Sequence, residues 1–179
     1  DDATALEREA AALKTRLTAR AQELEKILAV PPLELMRFTD GVAMLKGWQA
    51  VDVPAGGALT PNRAVDGKRA LAIAAGPVTS ASWRLKVLLP PGAYRFEAAV
   101  RTAGVAPLKF GRNHGAGLRV TAPGTTRSPL WLGSQSWTNA QVSFHTSARE
   151  QEVELICELR ASAGEAWFDA ESLRLVRVP

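Results

Sequence analysis

The sequence predicts an all-β fold, an antiparallel jelly-roll β-sandwich of about eight or nine strands with one α-helix at its amino end. Apolar and polar residues alternate strictly through residues 152–159, as expected for a strand with one buried face. Turn signals recur about every ten residues after residue 32, and no helical periodicity separates them. This spacing favours a sandwich over any βαβ architecture.

The helix is predicted over residues 3–28, which are rich in Ala, Leu, Glu, Lys and Arg and contain no Gly or Pro. Apolar residues recur at spacings of three and four along it, and they are Leu6, Ala10, Leu13, Leu17, Leu24 and Ile27. Two interpretations stay open: the helix packs on its own sandwich, or it forms a coiled coil or stalk.

A proline pair marks the predicted domain boundary. Pro31 and Pro32 cannot continue a helical hydrogen-bond ladder, and they push the preceding residues towards extended geometry. We therefore expect a helical stalk over residues 1–29 and a sandwich over residues 33–179.

The first half of the predicted sandwich begins with a candidate strand at residues 33–38 and a turn at residues 39–41. Residues 52–68 contain several Pro and Gly residues and predict a long loop that ends in a tight turn at Asp66-Gly67. A hairpin follows over residues 83–100, with Pro90-Pro91-Gly92 as its turn.

The second half continues the alternation. Its predicted elements are a short strand at residues 118–121, a turn at Pro123-Gly124 and strands over residues 137–146 and 152–159. The pattern places four large residues in the core, namely Trp83, Phe96, Phe144 and Leu155.

Composition argues against several functions. The chain has 179 residues with 22 basic and 18 acidic side chains, and the excess is spread over strands. Because no basic stripe with interleaved aromatic residues is visible, we expect no nucleic-acid partner. No stretch approaches the length of a membrane span. The absence of an initiating Met and of a signal peptide predicts a processed or cut piece.

Catalytic patterns are also lacking. Cys157 is the one cysteine, which precludes an internal disulfide, and its alternating strand predicts a buried thiol. His114 and His145 have neither a cysteine nor paired carboxylates at metal-ligand spacing. Residues 133–136 lack the second glycine of a nucleophile elbow. The sequence therefore predicts that the protein is not an enzyme.

Several motifs together resemble a known family. They are Phe38-Thr39-Asp40-Gly41 followed by Trp48, the hairpin around Pro91-Gly92-Ala93-Tyr94, Trp137 ahead of Val142 and Phe144, and Ala166-Trp167-Phe168-Asp169. These residues resemble the jelly-roll carbohydrate-binding modules of the galactose-binding-like superfamily, including the xylan- and glucan-binding modules of bacterial glycoside hydrolases. The resemblance covers residues 34–178, and its motifs concern the fold more than the ligand.

The resemblance implies an exported, extracytoplasmic and non-catalytic module, often with a structural calcium. In the family pattern a Phe-Glu pair near the first strand and an Asp in the closing strand help to hold the ion. Asp169 matches the Asp, whereas Thr39 stands where the pattern has Glu, which leaves Asp40 as the neighbouring carboxylate. The other interpretation of Asp169 is a turn cap. The resemblance also places Trp137 and Trp167 in the framework, and we expect both in the core.

The outward residues of the strands that can be registered include no aromatic side chain, so a sugar site is expected in loops. The candidate ligand-binding residues are Trp131, Trp48, Arg112, Asn113 and His114, the last three in a glycine-rich loop that supplies hydrogen-bond donors. The alternative is that this loop is merely solvated while Phe110 fills the core.

Three functional hypotheses follow. The first is a module that binds glycan. The second is a structural subunit of a surface or envelope assembly that self-associates or docks on another protein through its helix. The third is the outer domain of a membrane-anchored signalling protein, since a helix, a Pro-Pro pair and a sandwich also occur in anti-sigma-factor-like proteins.

Overall fold

A computed structural model describes residues 2–121, 124–147 and 149–179, and divides the chain between Leu33 and Glu34 into two units. The first unit contains the single helix α1 (Asp2–Leu28). Arg20 and Glu23 pair along it at 2.7 Å, and the Ala29 amide donates to the Glu25 carbonyl at its last turn. The prolines that follow explain why the helix ends there.

The second unit is built from antiparallel strands, as predicted. Within the described residues it contains β1 (Val42–Met44), β2 (Gln49–Val51), β3 (Ala58–Val65), β4 (Lys68–Ala74), β5 (Thr79–Leu89), β6 (Gly92–Ala106), β7 (Gly115–Thr121), β8 (Thr125–Arg127), β9 (Gly133–Thr146), β10 (Gln151–Ala161), β11 (Ala163–Asp169) and β12 (Arg174–Val178). Twelve strands exceed the predicted eight or nine, chiefly because β1, β2 and β8 have three residues each.

The strands form two sheets that pack as a sandwich. The seven-stranded sheet has the order β1-β12-β6-β11-β4-β3, with β9 paired to β6. The five-stranded sheet has the order β2-β5-β10-β7-β8. The predicted all-β sandwich with an amino-terminal helix is therefore confirmed.

The core lies between the sheets and contains the residues that alternation predicts. Trp83, Phe96, Phe144 and Leu155 all belong to one buried cluster. Cys157 is fully buried in the same cluster, and its burial raises the pKa of the thiol well above the usual value. Burial of these large side chains is the main stabilising contribution to such a core.

Three predicted segments differ in the structure. The hairpin predicted over residues 83–100 is wrong, because β5 belongs to the five-stranded sheet and β6 to the seven-stranded sheet. Residues 33–38 form no strand; they make an isolated bridge between Leu35 and Leu88 and pack Met36 and Phe38 against the core. The predicted loop at residues 52–68 contains strand β3, although its tight turn at Asp66-Gly67 is present. Pro61 is accommodated because β3 is an edge strand and its register shifts between Thr60 and Arg63. Pro123 of the predicted Pro123-Gly124 turn lies outside the described residues.

Trp167 is buried, as predicted, but neither Trp137 nor Trp167 lies in the core between the sheets. Ala166 and Phe168 belong to that core, so the intervening Trp167 points to the opposite face of the seven-stranded sheet. There Trp167 forms a second cluster with Ala70 and Ala72, and Trp137 packs against it. We call this the outer-face cluster. The seven-stranded sheet therefore has aromatic residues on its outer face, contrary to the prediction.

Candidate functional site

The seven-stranded sheet is interrupted beside the middle of β6. Strand β12 pairs with residues 93–97 of β6, whereas β11 pairs with residues from Val100 to Ala106 on the same side. The turn between these two strands fills the interval, where the Ala99 amide donates to the Ser172 hydroxyl at 2.8 Å. Strand β1, which follows β12 in the sheet, is therefore separated from β4 and β3, which follow β11.

A cleft of about 450 Å³ lies beside this turn, and we call it the Trp48 cleft. Its lining comes from four separate segments, which supply Leu45, Lys46, Gly47 and Trp48, Pro61 and Asn62, Arg69 and Leu71, and Ala170, Glu171 and Leu173. The volume lies within the range of small-molecule sites in proteins.

The inner surface of the Trp48 cleft is apolar. Leu45, Leu71 and Leu173 are buried in the core. Trp48 is half-buried and stacks on Phe96, with the ring centroids 6.0 Å apart and the planes inclined by 23°. In the described residues the buried Nε1 of Trp48 has no hydrogen-bond partner. Stacking on a core ring fixes the orientation of the indole, so this wall of the cleft is held rigidly.

The mouth of the Trp48 cleft is polar, and its side chains are exposed. Lys46 and Arg69 supply hydrogen-bond donors, Glu171 supplies acceptors, and Asn62 supplies both. Asn62 has a φ of 55°, and its carbonyl accepts from Nη1 of Arg69 at 3.3 Å. An apolar wall beneath converging donors and acceptors suits a ligand with hydroxyl groups on a carbon ring.

A second cavity of about 390 Å³ lies on the outer face of β6 and β9, and we call it the β9 groove. Its lining consists of Glu97, Ala98, Ala99, Asn139, Ala140, Gln141, Glu171, Ser172 and Arg174. Burial tends to raise the pKa of Glu97, but hydrogen bonds from Arg95 and Arg174 outweigh this effect and lower the pKa. Glu97 therefore stays ionised and paired.

The outer-face cluster lies on the same sheet as the β9 groove. The ammonium of Lys68 is 5.6 Å from the Trp137 ring centroid, and the Arg101 guanidinium is 5.7 Å from that of Trp167. In the described part of the chain, the buried Nε1 atoms of both tryptophans have no hydrogen-bond partner. The indoles here act as apolar covers of the sheet and as supports for cations.

Charged residues cover the outer face of the five-stranded sheet. The carboxylate of Glu158 is only 4% exposed and pairs with Arg119 at 2.8 Å and with Arg127. Burial lowers the pKa of both guanidinium groups, and for Arg127 the nearby positive charges of Arg119 and Arg160 add to this effect. These ion pairs hold neighbouring strands together.

The structure separates the predicted ligand-binding residues. Trp48 lines the Trp48 cleft, whereas Trp131 packs partly buried against the core and forms a bridge with Ala116. Arg112 and Asn113 are exposed in the loop, and Nε2 of His114 contacts the Phe110 carbonyl at 2.8 Å. Phe110 is 61% exposed, so the idea that it fills the core is wrong. Glycan contacts by the loop and by Trp131 stay predictions.

The residues predicted to hold calcium have other partners. Asp169 accepts from the Lys68 ammonium at 2.5 Å and from the Glu171 amide at 3.1 Å, so it caps a turn. Asp40 is exposed in the turn before β1. Among the described residues there is no group of three or more His, Cys, Asp or Glu side chains that could hold a metal ion. These donors do not fit the six to eight oxygen ligands of calcium, and we assign it no role.

Sequence reasoning missed most of the cavity residues. Lys46, Asn62, Arg69 and Glu171 lie far apart in the sequence and belong to no motif. The outward tryptophans could have been found by parity, because Trp167 is adjacent to the inward Phe168 and Trp137 is five residues before the inward Val142. Adjacent residues of a strand face opposite sides.

The described part of the chain contains no helix that is both long and apolar enough to cross a lipid bilayer. No protein-family model matches the sequence, and no curated protein does.

The chain is similar to several solved carbohydrate-binding modules. One belongs to family 61 and was solved with β-1,4-galactotriose, with 17% identity, a TM-score of 0.47 and coverage of 73% of this chain and 88% of that one. Another is the family 35 module from Cellvibrio japonicus, with 14% identity, a TM-score of 0.42 and coverage of 73% and 86%.

A third similar structure contains a family 22 module and a catalytic module of a Clostridium thermocellum endo-1,4-β-D-xylanase, complexed with xylohexaose. The identity is 14%, the TM-score is 0.49, and the match covers 74% of this chain and 26% of that one. This chain therefore spans about a quarter of that structure's length. The similarity to these carbohydrate-binding modules is a similarity of fold.

Proposed function

We propose that residues 34–179 form a glycan-binding module and that a sugar unit binds in the Trp48 cleft. The observation that carries the proposal is the combination of an apolar wall, anchored by the stacking of Trp48 on Phe96, with the polar mouth of the same cavity. Sugar rings present apolar C–H faces and polar hydroxyl edges, and this combination matches both.

The polar mouth supplies the hydrogen bonds that orient the ligand. Lys46 donates to hydroxyl oxygens, and Glu171 accepts from hydroxyl hydrogens. The described residues place no ion-pair partner within 4.0 Å of either side chain. Both groups therefore remain available to a ligand.

The test is isothermal titration of the full chain with β-1,4-linked gluco-, xylo- and galacto-oligosaccharides, followed by the variants Lys46→Gln and Glu171→Gln. We expect each substitution to weaken binding about tenfold, since a hydrogen bond to a charged group contributes about 1.5–3 kcal/mol. Lys86→Gln and Glu152→Gln, on the outer face of the five-stranded sheet, are matched controls and should leave affinity unchanged. The proposal is abandoned if no glycan binds more tightly than about 1 mM, about 4 kcal/mol.

The proposal includes a non-catalytic role outside the cytoplasm, which the family resemblance supports. Chromatography of the oligosaccharide after prolonged incubation should recover it unchanged, and the appearance of shorter products would refute the non-catalytic role. Fractionation of the producing cells should find the protein outside the cytoplasmic fraction.

The helix supports a second proposal, namely that two copies of the chain associate through α1. The 27-residue helix is uninterrupted and places Leu6, Leu13, Leu17 and Leu24 at coiled-coil spacing. Light scattering of the full chain should report a dimer that the double substitution Leu13→Glu and Leu17→Glu dissociates. A concentration-independent monomer would contradict this second proposal and leave glycan binding unaffected.

A further inference from the structure

The Trp48 cleft and the β9 groove lie on two sides of one turn. Glu171 lines both cavities, while Ala170 lines only the cleft and Ser172 only the groove. The turn is fixed in place because the Ser172 hydroxyl accepts from the Ala99 amide and donates to the Asp169 carbonyl, each at 2.8 Å. The two cavities are therefore neighbours with one rigid, polar boundary.

The β9 groove contains side chains whose hydrogen-bonding capacity is unused. Asn139 and Gln141 are exposed on the same face of β9, two residues apart, which corresponds to about 7 Å along the strand. In the hydrogen bonds of the described residues neither amide side chain takes part. Each amide can both donate and accept, which is what a ligand with many hydroxyl groups requires.

The groove suits a neutral ligand. Its half-buried carboxylate, that of Glu97, is already paired with Arg95 and with Arg174, the latter at 2.7 Å. Ala99 at its floor is small and leaves room between the polar side chains. A ligand there meets amides, the compensated charge of Glu97 and the carboxylate of Glu171, whose oxygens accept hydrogen bonds from hydroxyl groups.

The path continues beyond the groove towards an aromatic surface. Trp137 precedes Asn139 by two residues on the same face of β9 and is half-buried in the outer-face cluster. Every second residue of β9 from 137 to 141 thus presents an indole or an amide on the same face of the sheet.

We propose that the ligand of this module is an uncharged oligosaccharide that binds through several consecutive sugar units. One unit lies in the Trp48 cleft, and the following units lie over Glu171 and along β9. This inference rests on the proposed glycan binding and specifies the ligand class further: a polymer segment of several units, not a monosaccharide or disaccharide.

The test is a length series. Isothermal titration with β-1,4-linked gluco-, xylo- and galacto-oligosaccharides of one to six units should show affinity rising about tenfold or more from two units to six, because the additional units reach Asn139 and Gln141. The double variant Asn139→Ala and Gln141→Ala should lose this rise and retain the affinity for the disaccharide. Gln49→Ala, an exposed amide on β2 outside both cavities, is the matched control and should bind like the unmodified chain.

The outcomes separate the two proposals. Equal affinity for two and six units, or a length dependence that the double variant keeps, overturns the extended path and leaves binding in the cleft intact. Absence of binding at every length overturns both proposals. Each variant should unfold at the same temperature as the unmodified chain. A loss of affinity then does not result from a loss of the fold.

Discussion

The outer faces of the two sheets use their polar residues in different ways. On the five-stranded sheet, Arg84 pairs with Glu154 and Lys86 with Glu152 at 3.6 and 3.2 Å, from positions that are diagonal neighbours in the register of β5 and β10. Ile156 also points outward there and is nevertheless fully buried, between strand partners that carry long arginine side chains. Charged side chains thus cover this sheet.

The seven-stranded sheet has ion pairs as well, but it also has an aromatic cluster, exposed amides and both cavities. The comparison shows that a polar outer face is structural where each charged side chain has a neighbour of opposite charge on the adjacent strand. It is available for a ligand where neighbouring polar residues are neutral or unpaired. The alternation of apolar and polar residues predicts which side chains face outward. The pairing of the strands determines whether an outward charged side chain has a partner.

The largest expected effect breaks the structural face. Glu158→Gln removes the carboxylate that neutralises Arg119 and Arg127, and we expect a loss of about 3–5 kcal/mol in the free energy of unfolding. Chemical denaturation measures it. Glu152→Gln, which removes one partner of an exposed pair, is the control and should change stability by less than about 1 kcal/mol. Similar losses in both variants would show that the face is not held by Glu158.

The next effect concerns the outer-face cluster. Trp167 is 8% exposed, and Trp167→Ala should destabilise the protein by about 3 kcal/mol because it uncovers Ala70 and Ala72. Trp167→Phe should retain most of the stability, since Nε1 has no partner to lose in the described residues. Thermal unfolding distinguishes the two, and a Phe variant as unstable as the Ala variant would reveal a hydrogen bond to the indole.

The smallest expected effect is the pH dependence of the contribution that Glu97 makes to the free energy of unfolding. The folded pKa of Glu97 is lowered, so its contribution to stability is present above the unfolded pKa of about 4.3 and is lost as pH falls through the folded value. Glu97→Gln should therefore reduce the free energy of unfolding by about 1.5 kcal/mol at pH 7 and progressively less below about pH 4. Urea unfolding across this range measures it, and a difference independent of pH would contradict the lowered pKa.

The sequence predicts the sandwich because the strands that form its core have a regular alternation of apolar and polar residues. The alternation from Val153 to Leu159 and the inward phase of Trp83 and Phe96 depend only on neighbouring residues, and both are confirmed. The edge strand β3 was missed because Pro61 weakens its local pattern, although a register shift tolerates the proline.

The candidate site could be predicted only in part. Trp48 was named, because a tryptophan after a turn is visible in the sequence. The cleft around it depends on β6 changing its partner from β12 to β11, which is a long-range pairing with no local signal. Strand alternation places Trp137 and Trp167 on the outer face, whereas the family resemblance alone does not distinguish the two faces of the sheet.

The proposed ligand lies beside the seven-stranded sheet, and the five tryptophans of the chain can report its position. In a ¹H–¹⁵N spectrum of the full chain, assigned with Trp→Phe variants, the indole signals of Trp48 and Trp137 should shift as a β-1,4-linked hexasaccharide is added. The indole of Trp83, which donates to the Ala72 carbonyl at 3.2 Å in the core, and that of Trp131 should remain in place. A shift of Trp131 with Trp48 and Trp137 unchanged would contradict the account and place the ligand at the loop of residues 110–115.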